Sequence, residues 1–544
     1  MARTSAVATG GRGEAVAAAP AATPRPGRPL RILFVVEPGP LLRFALLVPA
    51  IAERGHEVHI GFARGRDWLP VVGRGLPLRA ARLLEDLEAR FPQVDHAFVP
   101  ERRQSGWADI ALIARALADL AHNADPRYTG AGVLRRRTRK RILGRLRHDD
   151  ALEPLARRLA VRAGSRLAER TDAALSARML RTAAALEAAV PPDAAIDRFL
   201  GELDPDVVVA TGTFRHLSSE VDVLKSARRL GIPTAVFVTS WDNLTNKGAM
   251  KFLPDRVLVW NEAQAREAVE LHRVPAERVR VTGAHAFDDW FDRAPTRSRA
   301  DLLAEVGLDP AEPYLAYLCS SRNVARNGEV DFVRAWIGAL RSSGDERLRR
   351  IGIVVRPHPN AAASWEDVDL GDPAAVVWPR GGAHPVGEQA RADFFDTLVH
   401  AAAVVGINTT AMIEAAILEK SVLTVLVPSF AQEATLHFHH LLEENGGFLH
   451  VATDLTEHER QLSAVLDEDE AGAARRRAFV ASFVRPAGLD RPAAPIAAVA
   501  IEELAASAVD RRTGPGTLLL RGALSVEAAV GSARRALRRR AAGA

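Results

Sequence analysis

Ile351-Gly352-Ile353-Val354-Val355-Arg356-Pro357-His358-Pro359, read together with Ala403-Val404-Val405-Gly406-Ile407-Asn408-Thr409-Thr410, decides the fold of this chain. Each is a short apolar run that ends in a polar loop, strand-like over Ile351 to Val355 and Ala403 to Gly406. The second loop opens an apolar helix that carries Glu414 on its first turns. In an open α/β sheet, ligands sit at the carboxyl ends of strands, and a helix start with hydroxyl residues presents unpaired N–H groups to an anion. The two loops therefore read as a diphosphate cradle. Asn408, Thr409 and Thr410 form the helix start, and Arg356 and His358 on the neighbouring strand end neutralise the phosphates. Glu414, which only accepts, is placed to take hydrogen bonds from sugar hydroxyls. Two prolines alone would make Arg356 to Pro359 a rigid strand exit, and any Asn or Thr serves as an ordinary N-cap. The pairing of the loops favours a nucleotide-diphosphate donor site.

The same alternation continues on both sides. Strands are expected near Tyr314 to Leu318, Ala375 to Trp378 and Val422 to Leu426. Upstream, a strand (Arg31 to Val36), a Gly/Pro loop, an apolar helix (Leu41 to Glu53), the turn Gly55-His56 and a strand (Glu57 to Phe62) make a β-α-β unit, with His56 shaping the turn. Further strands follow at Asp206 to Ala210, Pro233 to Thr239, Arg256 to Trp260 and Val279 to Thr282. Such alternation implies parallel sheets covered by helices on both faces, here two Rossmann-like, doubly wound domains facing a cleft. Between about Ser105 and Val190 the periodicity turns helical, which marks a helical insertion at about 105–195 in the first domain. The expected boundaries are a disordered tail over 1–28, a first, acceptor domain over 29–295, a second, donor domain over 296–485, a helix over 486–510 and a flexible basic tail over 511–544.

At 544 residues, of which 48% are hydrophobic, the chain exceeds what one core holds. Its net charge of +5 comes from nearly balanced totals, 72 basic and 67 acidic, so the excess is local. Eight Lys/Arg and no acid fall between Arg135 and Arg147, and five Arg between Arg534 and Arg540. A solvated helix face is the ordinary reading of the first run. Eight like charges repel, however, which favours an anionic partner such as a membrane surface or a phosphorylated lipid. No nucleic acid is expected, because no binding motif or aromatic interleaving accompanies the charge. Cys319 is the only cysteine, which excludes an internal disulfide and fits a reducing compartment. There is no run of 18 uninterrupted apolar residues and no secretory h-region in the first 28 residues. The expected location is cytoplasmic, with peripheral attachment to the inner membrane face through the basic run.

The first strand ends in Glu37-Pro38-Gly39-Pro40, without the three-glycine spacing that lets a backbone approach a dinucleotide, and no P-loop occurs. No cofactor is expected beyond the activated donor. Asp204-Pro205-Asp206 precedes its strand, at the wrong end of the sheet for a metal grip, and reads as a turn. Ser320-Ser321-Arg322-Asn323, after the first strand of the second domain, meets either a phosphate or the acceptor, with capping an equal reading. In the loop from Thr239 to Gly248, Asp242 is the candidate general base, since a carboxylate beside Trp241 has its pKa raised by desolvation. Asp and Asn are also the commonest turn residues. Asn243 and Lys247 of that loop, with Arg43 and His216 at strand ends, are the acceptor-side candidates. His437, His439 and His440, near Glu433, resemble a metal cluster, but adjacent His diverge and a structural or substrate-contacting role is favoured. No metal site is expected.

Arg31 to Val36 with Gly55-His56-Glu57-Val58, the turn Leu203 to Asp206, Val281-Thr282-Gly283, Arg356 to Pro359 and Thr409 to Ala415 together resemble the GT-B glycosyltransferase superfamily. More narrowly they resemble its bacterial cell-envelope branch, which includes CDP-glycerol glycerophosphotransferases and nonhydrolysing UDP-N-acetylglucosamine 2-epimerases. The resemblance spans about Arg31 to Leu504. It implies a nucleotide on the second domain, with His358, Thr409 and Thr410 at its phosphates and Glu414 on its ribose. The epimerases' His-x-Glu-Ala-Gly motif has no counterpart, because the corresponding loop reads Thr239 to Gly248. Asn408-Thr409-Thr410 likewise departs from the Asp or Ser-Ser-rich loop of the glycerophosphotransferases. The resulting expectation is a metal-independent transferase that moves a sugar from a nucleotide-diphosphate donor to a cell-envelope or surface-polysaccharide acceptor, glycan or lipid-linked. Arg356, His358, Thr409 and Thr410 would stabilise the leaving phosphate, and Asp242 would deprotonate the acceptor. The alternatives are glycerophosphate transfer from CDP-glycerol, 2-epimerisation, and a non-catalytic nucleotide- or membrane-binding protein that kept the fold.

Overall fold

Short runs of Val, Ile, Leu, Ala and aromatic residues form thirteen strands among the described residues, and every ladder between them is parallel. The computed structural model describes residues 28–37, 40–63, 78–102, 104–128, 130–148, 161–162, 164–166, 172–215, 218–321, 324–325, 328–359, 361–380, 382, 387–430, 432, 435–467, 470–507 and 513–542. The first sheet holds β1 (Arg31–Val36), β2 (Glu57–Phe62), β3 (Val94–Phe98), β4 (Val207–Ala210), β5 (Thr234–Phe237), β6 (Arg256–Val259) and β7 (Val279–Val281), in the order β3-β2-β1-β4-β5-β6-β7. The second holds β8 (Tyr314–Leu318), β9 (Gly352–Arg356), β10 (Ala375–Val377), β11 (Ala403–Gly406), β12 (Val422–Val425) and β13 (His450–Ala452), in the order β10-β9-β8-β11-β12-β13. Helices cover both faces, so strands such as Val207–Ala210 and Val422–Val425 are buried along their whole length. The architecture is two Rossmann-like α/β domains with a helical insertion in the first.

Two edge strands, Val94–Phe98 and His450–Ala452, escaped the sequence reading because they are short and carry polar residues. The expected helix over Leu41 to Glu53 is a 3-10 turn, Pro40–Phe44, followed by the helix Leu47–Ala52. Pro49 sits in that helix's first turn, where its missing N–H removes no intrahelical bond. Asp206 behaves as turn chemistry: its carboxylate accepts from the Arg31 N–H at 2.8 Å, at the amino ends of β1 and β4. His56 shapes the turn before β2, accepting from the Leu30 N–H and bonding Glu502.

The insertion supplies the helices Gly106–His122, Gly132–His148 and Ala173–Ala189. A buried charge network fastens it to the first domain. Arg115 donates to both Glu187 and Asp222, Lys225 donates to Glu187, and Lys251 meets Asp119 at 2.6 Å. The chain then returns from the second domain to the first, where the helix Ala493–Ala505 buries Ala497, Ile501 and Leu504 against the core under β1 and β4. Asp288 caps that helix through the N–H groups of Ala493 and Ala494. Gly283 adopts a φ of +88°, and a Cβ there would lie 2.7 Å from that of Ala493, so the crossing requires glycine.

Residues 515–542, expected as part of a flexible tail, form one long helix. Ala, Leu and Arg read as low complexity in a list but are strong helix formers. The helix lies across Gly106–His122: Ala528 packs so tightly on Gly106 that a Cβ there would meet the Ala528 carbonyl oxygen at 2.2 Å, and Arg535 pairs with Asp109. The tail expected over 1–28 lies outside the described residues except for Arg28, which pairs with Asp206. Among the described residues no helix is long and apolar enough to cross a membrane.

Candidate functional site

In the second sheet the strand order reverses between β8 and β11, and a doubly wound sheet binds ligands at that switch point, outside the carboxyl ends. Register keeps the ends level: Leu318 pairs with both Arg356 and Gly406. The loops Cys319–Ser321, Pro357–Pro359 and Ile407–Thr410 therefore emerge side by side. They form one wall of a cavity of about 620 Å³ whose opposite wall comes from the first domain.

Ser321, His358, Asn408, Thr409, Thr410 and Glu414 all line this cavity. The bonds from Met412 N–H to Thr409 O and from Ile413 N–H to Thr410 O close the turn into the helix Ala411–Ile417, and no side chain caps it. The Thr410 hydroxyl instead accepts from Trp241 Nε1 at 3.1 Å, a bond between the domains. Asn408 Nδ2 donates to Thr435 at 2.9 Å and steadies the turn.

Three second-domain expectations need correction. Ser320 is fully buried: its N–H donates to Glu329 and its hydroxyl accepts from the Asn408 N–H, so it joins the two strand ends rather than meeting a ligand. Arg356 reaches the cavity's edge, but its guanidinium lies within 5.1 Å of the Trp378 and Phe394 ring centres and donates to Thr397 Oγ1 at 2.7 Å and to the Asp393 carbonyl. It holds the helix Glu388–Val399 to β9, so its guanidinium is not the uncommitted cation expected. Burial pushes His358 down to about 4, so near neutrality the empty site holds it as an uncharged hydrogen-bonding group and not as the standing cation expected. Arg322 and His216 lie outside the described residues.

Burial lifts Glu414 to about 7, opposed by the Arg43 guanidinium and assisted by the Asp289 carboxylate. Burial also raises Asp289, against the pull of Arg391 and Arg293. Glu414, Asp289 and Arg43 thus share one corner of the cavity, with both carboxyl groups above their ordinary range.

On the first-domain wall, Asp242 reverses its expectation. Burial alone would raise it, but Lys247 at 3.4 Å, His437 and a hydrogen bond from Asn246 at 3.0 Å outweigh burial and hold the carboxylate well below its usual range. It is a fixed anion. The Trp241 ring meets His437 in an edge-to-face contact with centres 4.6 Å apart, and its N–H is turned to Thr410. Asn243 turns inward, accepting from the Thr239 N–H and hydroxyl, and holds the loop instead of facing an acceptor. Lys247 and Arg43 do line the cavity.

Arg137 and His437 complete the site. Arg137, inside the basic run, donates to the carbonyl and side-chain oxygens of Asn246 at 2.7 and 2.6 Å and lines the cavity beside Val133 and Leu134. That apolar pair one turn before it was the available signal. Arg136, Lys140, Arg141 and Arg147 of the same helix are exposed. His437 is buried and pushed down to about 4 by that burial, so it is neutral beside the Asp242 anion. The three histidines diverge, with His440 bonded to Glu267, and among the described residues no three His, Cys, Asp or Glu gather to hold a metal. A second cavity, of about 470 Å³ under the insertion, has walls whose buried charges, Arg115, Glu187, Lys225 and Lys251, answer one another or Asp119 and Asp222.

No family model matches the sequence, and no curated protein matches it. Among solved structures the chain is similar to a putative UDP-N-acetylglucosamine 2-epimerase from Listeria monocytogenes, with a TM-score of 0.49 and 12% identity, covering 89% of this chain and 98% of that one. It is also similar to the UDP-GlcNAc 2-epimerase from Neisseria meningitidis bound to UDP-GlcNAc, with a TM-score of 0.47 and 10% identity over 87% and 100% of the two chains. WaaG, a glycosyltransferase involved in lipopolysaccharide biosynthesis, gives a TM-score of 0.41 and 12% identity over 86% and 99%.

Proposed function

We propose that the protein binds a nucleoside-diphosphate-activated sugar across the interdomain cavity and transfers the sugar to an acceptor hydroxyl. One observation carries this reading: the cavity sets the switch-point turn Thr409–Ala411 and Ser321 of one sheet opposite Arg43, Arg137 and Lys247 of the other domain. The diphosphate lies against the turn's N–H groups and the hydroxyls of Ser321 and Thr409, with neutral His358 as a further hydrogen-bonding partner. Glu414 accepts from ribose. As the bond from the sugar's anomeric carbon to the diphosphate oxygen breaks, negative charge grows on that oxygen, and Lys247 and Arg137 offset it. The acceptor oxygen forms the new bond to the anomeric carbon and gives its proton to neutral His437. Asp242, too weakly basic to act as the base expected of it, stabilises the imidazolium that results. The acceptor class, an envelope glycan or lipid-linked saccharide, rests on the motif resemblance and belongs to the same proposal.

A second reading, inversion of a sugar carbon on the bound nucleotide sugar, is supported by the carboxyl pair Glu414 and Asp289. Both are raised, and Glu414 at about 7 can give or take a proton near neutrality. Incubation with UDP-, CDP-, GDP- and ADP-sugars, followed by NMR of the sugar and detection of released nucleotide, separates the readings. Nucleotide release that requires an acceptor supports transfer. A new nucleotide-sugar isomer without release supports inversion and rejects transfer. No change in any donor across a panel of saccharide acceptors rejects both.

A further inference from the structure

The last helix, Pro515–Ala542, has two opposite faces. Through Arg521, Ala528, Ser532 and Arg535 it is fastened to the insertion. Half a turn around, Leu519, Ala523, Val526, Val530, Ala533 and Leu537 follow one another at steps of four and three residues. At 100° per residue such spacing keeps all six within one narrow stripe. Leu519 is 76% exposed, Val526 70%, Leu537 65% and Val530 38%, and Leu518 beside them is 51% exposed. Elsewhere among the described residues only Val269 and Leu489 are comparably exposed, each at 37%, and each stands alone. A continuous apolar stripe of this kind marks an interaction surface. The helix's sequence carries one acid, Glu527, against Arg534, Arg538, Arg539 and Arg540 along its last turns.

We propose that this face docks on an anionic lipid surface. The aliphatic side chains enter the boundary between headgroups and acyl chains, and the basic last turns meet lipid phosphates. A second copy of the chain fits less well. From Leu519 to Leu537 the stripe runs about 27 Å. Taken as about 10 Å wide, it covers a few hundred Å², against about 800 Å² per partner in a standard interface. A parallel copy would also set Arg534 against Arg534, whereas an anionic surface answers the same charge. The inner face is held by the insertion, so the stripe is presented already folded and binding carries no cost of helix formation. The inference is independent of the reaction.

The test is co-sedimentation of the full chain with vesicles of equal parts phosphatidylglycerol and phosphatidylcholine, and with phosphatidylcholine alone. Three variants accompany it: the stripe variant Leu519→Gln/Val526→Gln/Val530→Gln/Leu537→Gln, the single variant Arg534→Glu, and Arg136→Glu/Lys140→Glu/Arg141→Glu on the helix Gly132–His148. The wild type is expected to bind the anionic vesicles at least about tenfold more tightly than the neutral ones. The stripe variant loses at least about tenfold with unchanged circular dichroism. Arg534→Glu, which leaves the apolar face intact and keeps the test valid if the stripe variant fails to fold, loses several-fold, and the Arg136 set keeps most of the binding. The proposal is overturned if the wild type ignores anionic vesicles, or if the folded stripe variant and Arg534→Glu both bind like wild type. Loss of binding in the Arg136 set alone would move the contact to the other helix. A concentration-dependent dimer in sedimentation velocity that the stripe variant abolishes would give the face to a second copy and refute the lipid assignment.

Discussion

Glu414→Gln should make the empty protein more stable while weakening its hold on nucleotide. Burial lifts the Glu414 carboxyl from its ordinary 4.5 to about 7, so the folded chain holds a proton that the unfolded chain has released between those two values. A raised carboxyl pKa lowers stability progressively as pH rises from about 4.5, with the full effect reached above about 7. That displacement is worth about 3 kcal/mol. Glutamine has a similar shape and nothing to ionise. The variant should therefore gain up to about 3 kcal/mol at pH 8 and almost nothing at pH 4.5. Other buried carboxyls, such as Glu329, pushed up to about 8, titrate in both proteins and cancel in the difference. In the presence of nucleoside diphosphate the sign reverses. Removing an anionic acceptor from ribose hydroxyls costs about 1.5–3 kcal/mol, or roughly 10- to 150-fold in affinity. Urea denaturation at both pH values, paired with calorimetric titration, reads both effects. Equal stability of variant and wild type at pH 8, with equal nucleotide affinity, would refute the placement of Glu414 in a desolvated ligand wall.

Four further outcomes follow from other contacts. Trp241→Phe removes the interdomain bond to Thr410 and should weaken nucleotide binding by about 1 kcal/mol, roughly fivefold, by calorimetry. Lys247→Met removes the nearest cation from Asp242, whose depressed pKa contributes stability above its ordinary 3.8 and loses it as pH falls. Its stability loss should accordingly be large in thermal melts at pH 8 and should begin to shrink only as pH falls below about 3.8 toward the depressed native value, with turnover reduced at least about tenfold. Arg115→Met leaves Glu187 and Asp222 short of a buried counter-ion and should cost about 3–5 kcal/mol in urea denaturation, without altering nucleotide affinity in whatever fraction stays folded. Arg356→Lys forfeits the planar stacking between Trp378 and Phe394 and should cost about 2 kcal/mol of stability, while shifting nucleotide affinity less than Thr409→Val does.

The sheets were legible because β1, β8 and β11 are unbroken apolar runs ended by loops, and their parallel pairing followed from the helices between them. The switch-point turn at Thr409 and Thr410 was legible for the same reason. Arg356 misled because a strand-end arginine looks like a ligand group. Strand parity puts it on the face of Val354, inside the cluster that holds Phe394, and Trp378, which completes its stacking, lies 22 positions away. Asp242 misled in the opposite direction. Its neighbour Trp241 suggested desolvation, but a loop gives no distance from Asp242 to Lys247 or His437, and those contacts, with the hydrogen bond from Asn246, reverse the shift. Arg137 was hidden among seven like charges, since a basic run does not show which of its members faces inward. The long last helix was lost to its own composition, because alanine and glycine on its inner face read as disorder until Gly106 is seen against it.

Calorimetric titration of the wild type with UDP, CDP, GDP and ADP, repeated on Ser321→Ala/Thr409→Val, asks whether the turn at Thr409 and the Ser321 hydroxyl hold a diphosphate. At least one nucleoside diphosphate is expected to bind, and the double variant, which removes two hydroxyls from the phosphate wall, to weaken it by at least about tenfold while its melting curve stays unchanged. No binding by any of the four, or binding that the double variant leaves intact, would contradict a diphosphate site at the carboxyl edge of the second sheet.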